Sequence, residues 1–417
     1  MAAPESNNGR ARRLARPADM GQPFVRTRRF MTGRDDAGQE DTGNGNGTGA
    51  GEEAATTVGG ASPAALPVAR PTVAVARQVF HDELVLLGFR MFLPARDGQA
   101  LGRINREVSD ALDLYRAEGW LENPEEFFAA PPPLTDPEIS PVTIRGHDLH
   151  RVVFISEYHP HPGEPGRDRW LGYTRNTREH ALVLRHRQPR PWVICVHGAL
   201  MGRGSVDLRL FRARHLHEDL GLNVVLPVLP LHGPRRVKRA AFPGEDVLDD
   251  LHAAAQAAWD IRRLLSWIRD QEPESPIGLN SMSLGGYISA LVASLDDGLT
   301  CAVLGVPVAD LIEVLGRHAG LGEDDPRRAT LDLAEPLGRM VSPLSLTPRV
   351  PMAGRFIYAG VADRLVHPRD QVMRLWEHWG RPDIEWYQGA HTGFYRSRPV
   401  QDFIDGALVR SGLVRGG

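Results

Sequence analysis

The chain has 417 residues, a formal net charge of −3 and 24% charged side chains. That near-neutral balance excludes the basic footprint of a nucleic-acid or anionic-membrane binder. Two cysteines make no disulfide framework, and no apolar run approaches the ~18 residues that would cross a bilayer.

Residues 1–72 are rich in Gly, Ala, Pro, Asn and Thr, with arginines between Arg10 and Arg34 and acids from Asp35 to Glu53. Such a segment buries too little apolar surface to offset its ordering entropy, so a disordered, solvated tail is expected. Thr27-Arg28-Arg29-Phe30-Met31 has the outline of a twin-arginine signal. Thr32-Gly33-Arg34-Asp35-Asp36 follows where an apolar core should stand, so no export is expected and a cytoplasmic location follows by default.

Residues 73–139 are expected to form a helical preface packed on the core. Phe80, Leu84, Leu87 and Met91 share one face, and Ile104, Val108, Leu112 and Tyr115 follow at helical spacing. Pro131-Pro132-Pro133 ends this region. From 140 to 417 strands are expected at about 143–156, 181–187, 191–197, 223–229, 276–282, 301–307, 354–360 and 383–388. Helices fall near 207–219, 246–270, 285–296, 369–379 and 399–411. The alternation predicts an α/β domain with a doubly wound, mostly parallel sheet of about eight strands, the first two pairing antiparallel at one edge. It breaks between Val308 and Val350, where two apolar helical series form an insertion after the sixth strand. Cys195 and Cys301 sit in apolar strands and read as buried reduced thiols.

Chemistry concentrates where strands stop. In Pro276-Ile277-Gly278-Leu279-Asn280-Ser281-Met282-Ser283-Leu284-Gly285-Gly286 an apolar run turns through small residues into a helix. Such a corner strains its apex residue and exposes its side chain above the sheet, and Ser283 is the apex. The run Trp192–Val196 ends in His197-Gly198, a turn that can offer a free N–H. Phe356–Gly360 leads to Asp363, and Ile384–Tyr387 leads to His391. The carboxyl ends of parallel strands share one edge, so these groups converge there despite their distance in sequence.

With Ser281-x-Ser283-x-Gly285, His197-Gly198, Asp363 and His391 in this order, residues 140 to 412 resemble the α/β-hydrolase superfamily of serine hydrolases, esterase- and lipase-like. Ser281 stands where the family's elbow carries its first glycine. The resemblance implies an α/β-hydrolase fold and a Ser283–His391–Asp363 triad, with an oxyanion hole made by the backbone N–H groups of Ala199 and Leu284. It implies cleavage of an acyl ester, carboxylesterase-like, through an acyl-enzyme. The alternatives are a non-catalytic binding protein of the same fold, or an acyltransferase, thioesterase or amidase using the same triad. Asp310 is the competing acid; the Gly360-x-x-Asp363 setting favours Asp363. The insertion at about 308–350 is either a lid over the substrate or ordinary packing on the sheet.

His197 is expected to brace the oxyanion loop, and His197, Leu200, Met282, His232 and Leu311 are candidate pocket-lining residues. Arg235 and Arg236 follow His232 and read as surface or loop-bracing groups in preference to binders of a substrate carboxylate. His159/His161 and His147/His150 lack a third ligand, so no metal is expected. No phosphate-cradling loop is present, and the chemistry requires no cofactor. The expected partner is a small-molecule acyl substrate, with no nucleic acid and no integral membrane segment; no sequence feature sets the oligomeric state.

Overall fold

The computed structural model describes residues 66–92 and 98–414. The expected tail falls outside the described residues as far as position 65. In chain order the elements are α1 (Val73–Phe92), α2 (Gly98–Ala117), α3 (Pro124–Phe127), β1 (Glu138–Ile144), β2 (His147–Ile155), α4 (Arg167–Leu171), β3 (Arg178–Leu184), β4 (Trp192–Val196) and α5 (Gly204–Leu210). They continue with β5 (Asn223–Pro227), α6 (Val247–Gln271), β6 (Ile277–Met282), α7 (Leu284–Leu295), β7 (Cys301–Gly305), α8 (Leu311–His318) and α9 (Pro326–Met340). The last are β8 (Arg355–Gly360), α10 (Arg374–His378), β9 (Asp383–Tyr387) and α11 (Arg398–Arg410).

One nine-stranded sheet runs in the order β1-β2-β3-β5-β4-β6-β7-β8-β9. From β5 to β9 every neighbour pair is parallel. The antiparallel edge is larger than expected, because β1–β2, β2–β3 and β3–β5 all run antiparallel. The single strand expected over 143–156 is a hairpin. Ile144 pairs with His147 across Arg145-Gly146, and both loop residues have positive φ, 52° and 80°, as a two-residue hairpin loop demands. The helix expected over 207–219 is interrupted after Leu210, where Arg212 has φ 51°, and resumes as a wider helical turn over His215–Asp219.

Strand β4 explains why the central runs are apolar throughout. Trp192, Ile194 and Val196 join one core layer with α6 and α7, while Val193 and Cys195 join the opposite layer with Leu208 of α5 and Leu408 of α11. Successive side chains alternate faces, and both faces are covered. Cys195 and Cys301 are buried and free. A third layer unites Ile104, Val108 and Tyr115 of α2 with Leu248 of α6 and Leu337 and Met340 of α9. Helix α9 of the 308–350 insertion therefore packs against the helical preface.

Helix α1 departs from expectation. Phe80, Leu84 and Leu87 are 64%, 49% and 52% exposed, while Val75, Asp82 and Leu86 are buried; the Met91 side chain lies outside the described set. Hydrogen bonds from the loops after β8 and β9 claim the Asp82 face, which turns the expected apolar stripe outward. No helix among the described residues is long and apolar enough to cross a membrane.

Candidate functional site

Ser283 stands between β6 and α7 at φ 56° and ψ −121°, backbone values that a non-glycine residue adopts only when its surroundings enforce them. Its amide donates to Gly305 O at 2.8 Å and its carbonyl accepts from Tyr287 N at 3.2 Å. Helix α7 then passes so close to β4 that a Cβ on Gly285 would lie 2.1 Å from Val196 O. Only glycine fits that crossing. Ser281, at the position that departs from the elbow pattern, is fully buried and its hydroxyl donates to Val303 O at 3.3 Å.

The carboxyl edge of the sheet is laced together beyond the strands themselves. Val306 N donates to Tyr358 O (2.7 Å), Val361 N to Tyr387 O (3.1 Å) and Ala362 N to Gly389 O (2.9 Å). These bonds bring the β8 and β9 loops side by side, and His391 Nδ1 meets Asp363 Oδ2 at 2.7 Å. The other Asp363 oxygen accepts from Leu365 N (2.9 Å) and Val366 N (2.8 Å), which fixes the carboxylate. Both side chains are buried. Burial alone pushes the His391 pKa down. The Asp363 carboxylate, by charge and hydrogen bond, and the Asp82 carboxylate outweigh it, so His391 titrates above the ordinary imidazole range. Among the described residues, Ser283 and His391 share no side-chain hydrogen bond. Asp310, the competing acid, caps α8 by accepting from Glu313 N (3.0 Å) and lies 3.4 Å from Arg374.

Asp82 is the residue that the sequence reading missed. It is completely buried and accepts from His391 N (2.8 Å), Thr392 N (3.3 Å) and Arg364 N (3.2 Å). Gln78, one turn earlier, accepts from Ala390 N at 3.0 Å. Helix α1 thus grips the backbone on both sides of the His391–Asp363 pair.

On the opposite side, His197 Nε2 accepts from Leu229 N at 3.0 Å, which leaves Nδ1–H to donate to Gly198 O at 2.7 Å. Burial holds this imidazole neutral, its pKa lowered to about 3. The ring ties the loop after β4 to the loop after β5. A Cβ on Gly198 would sit 3.3 Å from Ser283 Cβ, so this loop abuts Ser283 directly. The amides of Ala199 and Leu284 donate to no protein acceptor among the described residues, and Leu284 opens a 12-residue helix, where orphan amides are expected.

A cleft of about 1620 Å³ opens beside this loop, and Leu200 and His232 line it. Met282 instead lines a separate cavity of about 20 Å³ with Tyr358 and Phe394. His197 and Leu311 are buried and line neither. Arg235 is fully buried and is no surface group: it pairs with Glu179 and Asp260 and donates to Val228 O and Asn176 O, both at 2.9 Å. His161 donates to Phe127 O and His159 to Glu157 O, both at 3.1 Å. Among the described residues no three His, Cys, Asp or Glu side chains are grouped to hold a metal ion.

No family model matches the chain. Two proteins of Mycobacterium tuberculosis, Uncharacterized protein MT2702 (strain CDC 1551 / Oshkosh) and Uncharacterized protein Rv2627c (strain ATCC 25618 / H37Rv), are each 62% identical to it. Each match spans 358 residues, 85% of this chain and 87% of the relative. Among solved structures, acetyl xylan esterase 1 from Thermoanaerobacterium sp. JW/SL YS485 is similar with TM-score 0.50 and 16% identity, covering 71% of this chain and 93% of that one. Likeness at that identity speaks for the fold, which is the α/β-hydrolase fold.

Proposed function

Because the chain belongs to the family of the M. tuberculosis proteins MT2702 and Rv2627c, and its fold is that of the α/β hydrolases, we propose that it is a serine hydrolase cleaving an acyl ester. The observation that carries this reading is the buried 2.7 Å His391–Asp363 pair on the sheet edge that presents the strained Ser283. Ser283 Oγ attacks the acyl carbonyl while His391 Nε2 accepts its proton. Asp363 holds Nδ1–H and stabilises the imidazolium. The Ala199 and Leu284 amides receive the oxyanion. His391 returns the proton to the leaving alcohol, and a water activated by the same imidazole releases the acyl group from Ser283. The missing Ser283–His391 hydrogen bond is compatible with this sequence, since catalytic bonds in unliganded sites are often long and tighten only with substrate.

Labelling by a fluorophosphonate probe and hydrolysis of p-nitrophenyl esters of increasing acyl length test the proposal. Ser283→Ala is expected to abolish labelling and to lower kcat/KM by roughly 10³-fold or more. Equal ester turnover by both proteins, with no labelling of either, would refute it and favour a binding protein on the same fold.

A further inference from the structure

Six cations line the large cleft: Arg151, Arg175, Arg203, Arg236, Lys238 and Arg239. All are exposed, and among the described residues none forms an ion pair with a carboxylate. They come from four separate places, namely β2, the turn before β3, the loop before α5 and the loop after Gly233. Lys238 is the chain's single lysine. Three acids share the wall with these six cations: Asp246, held by Arg169 (3.0 Å) and Arg103 (2.6 Å), Asp249, held by Arg169 (2.9 Å), and Glu245. The field inside the cleft is therefore positive.

The cleft lies beside the reaction site and shares a loop with it, although Ser283, Asp363 and His391 do not line it. Leu200, Met201 and Gly202 form part of its wall, and the same loop reaches Ser283 at Gly198. Apolar side chains, among them Leu182, Val228, Leu231 and Phe242, line the same cleft. Its volume exceeds the ~300–1,000 Å³ of a typical small-ligand site, which leaves room for a long ligand. Guanidinium forks match carboxylate and phosphate oxygens in paired hydrogen bonds.

We infer that the substrate is an anionic ester, in which an apolar spacer separates the scissile carbonyl from a carboxylate or phosphate that the six cations hold. This rests on the serine-hydrolase reading above. The test compares p-nitrophenyl esters of one chain length ending in a methyl, a carboxylate or a phosphate. At about 0.02 M NaCl at least one charged ester is expected to exceed the methyl ester by about tenfold or more in kcat/KM, the advantage shrinking at about 0.5 M as screening sets in. Combining Arg236→Ala, Lys238→Ala and Arg239→Ala should bring the charged-to-methyl ratio toward one. Whichever charged ester leads identifies the anion.

Equal or lower kcat/KM for both charged esters overturns the inference while leaving the hydrolase reading intact. If no ester is turned over and the fluorophosphonate probe labels nothing, the hydrolase reading fails by itself. The cleft is then judged by calorimetric binding of the carboxylate- and phosphate-ended methyl esters to the Ser283→Ala protein. Salt-sensitive binding above that of the methyl-ended ester supports it, and its absence overturns it.

Discussion

Asp82 shows how much one buried carboxylate can organise. Three amides from two different loops converge on it. Burial and the nearby Asp363 raise its pKa, while His391 and the amide bonds pull it back. Removing it frees the backbone that carries His391, and displacement of about 1 Å at a reacting group can cost ~100-fold in rate. Asp82→Ala is expected to lower kcat by about that factor with KM little changed. Asp82→Asn keeps an acceptor for the amides and should recover most of kcat, yet it deletes a charge that raises the His391 pKa. The acid limb of its kcat/KM profile should therefore move to lower pH. A purely structural role predicts a lower melting temperature in both variants and an unshifted limb. In the sequence His81-Asp82-Glu83 looks like a solvated helix face. The available signal was the spacing of Val75, Asp82 and Leu86, which share the face opposite Phe80, Leu84 and Leu87.

Among the elements, strands β4 to β8 were legible because burial on both faces demands apolar runs bounded by turn residues, and the half-exposed edge strand β9 because Ile384, Trp386 and Tyr387 still mark it. The β1–β2 hairpin was not, since an exposed antiparallel edge carries weak patterning and Arg145-Gly146 is not one of the strongest hairpin dipeptides. The site splits the same way. The apex serine and the two loop residues after β8 and β9 follow from strand ends, whereas the buried Glu179–Arg235–Asp260 cluster joins three elements by contacts that no local pattern encodes. The crossing of α7 over β4 was readable as small residues around Ser283, and it gives a direct prediction. In Gly285→Ala the new Cβ meets Val196 O at 2.1 Å and His197 O at 2.5 Å. Backbone cannot give way as a side chain can, so the loss should reach or exceed the ~3 kcal/mol upper end for overpacking. Gly322→Ala meets no atom within 4 Å and should shift stability by under ~1 kcal/mol. Urea midpoints at unchanged m-value measure both; equal midpoints would mean that the crossing relaxes freely.

Across the whole molecule, buried titratable groups set opposing pH dependences. His197 and His232 are lowered to about 3 and about 4, chiefly by burial. Between their ordinary 6.5 and those values the unfolded chain binds protons that the folded protein refuses. Their contribution is therefore full above pH 6.5 and is lost as pH falls through 4 for His232 and through 3 for His197. Glu179 behaves oppositely. Burial pushes it from 4.5 up to about 8 although Arg235 pulls it down, and Asp207, also by burial, rises to about 7. The folded protein keeps those protons while the unfolded chain releases them, so the Glu179 contribution is full below pH 4.5 and lost as pH rises through 8, and that of Asp207 is full below 3.8 and lost through 7. The two sets oppose each other between 4.5 and 6.5, and above 6.5 the acids act without the histidines. Urea midpoints should accordingly fall from pH 6.5 to 8. Glu179→Gln copies the protonated side chain, so it should leave stability at pH 6 nearly unchanged. It should remove up to about 1.4 kcal/mol per pH unit of the decline, the remainder coming from Asp207 and from His391, whose raised pKa also costs stability as pH rises. If Glu179 were instead ionised against Arg235 at pH 6, the same variant would leave a buried guanidinium short of a partner. It would then lose about 3–5 kcal/mol at that pH, and its alkaline slope would match the wild type.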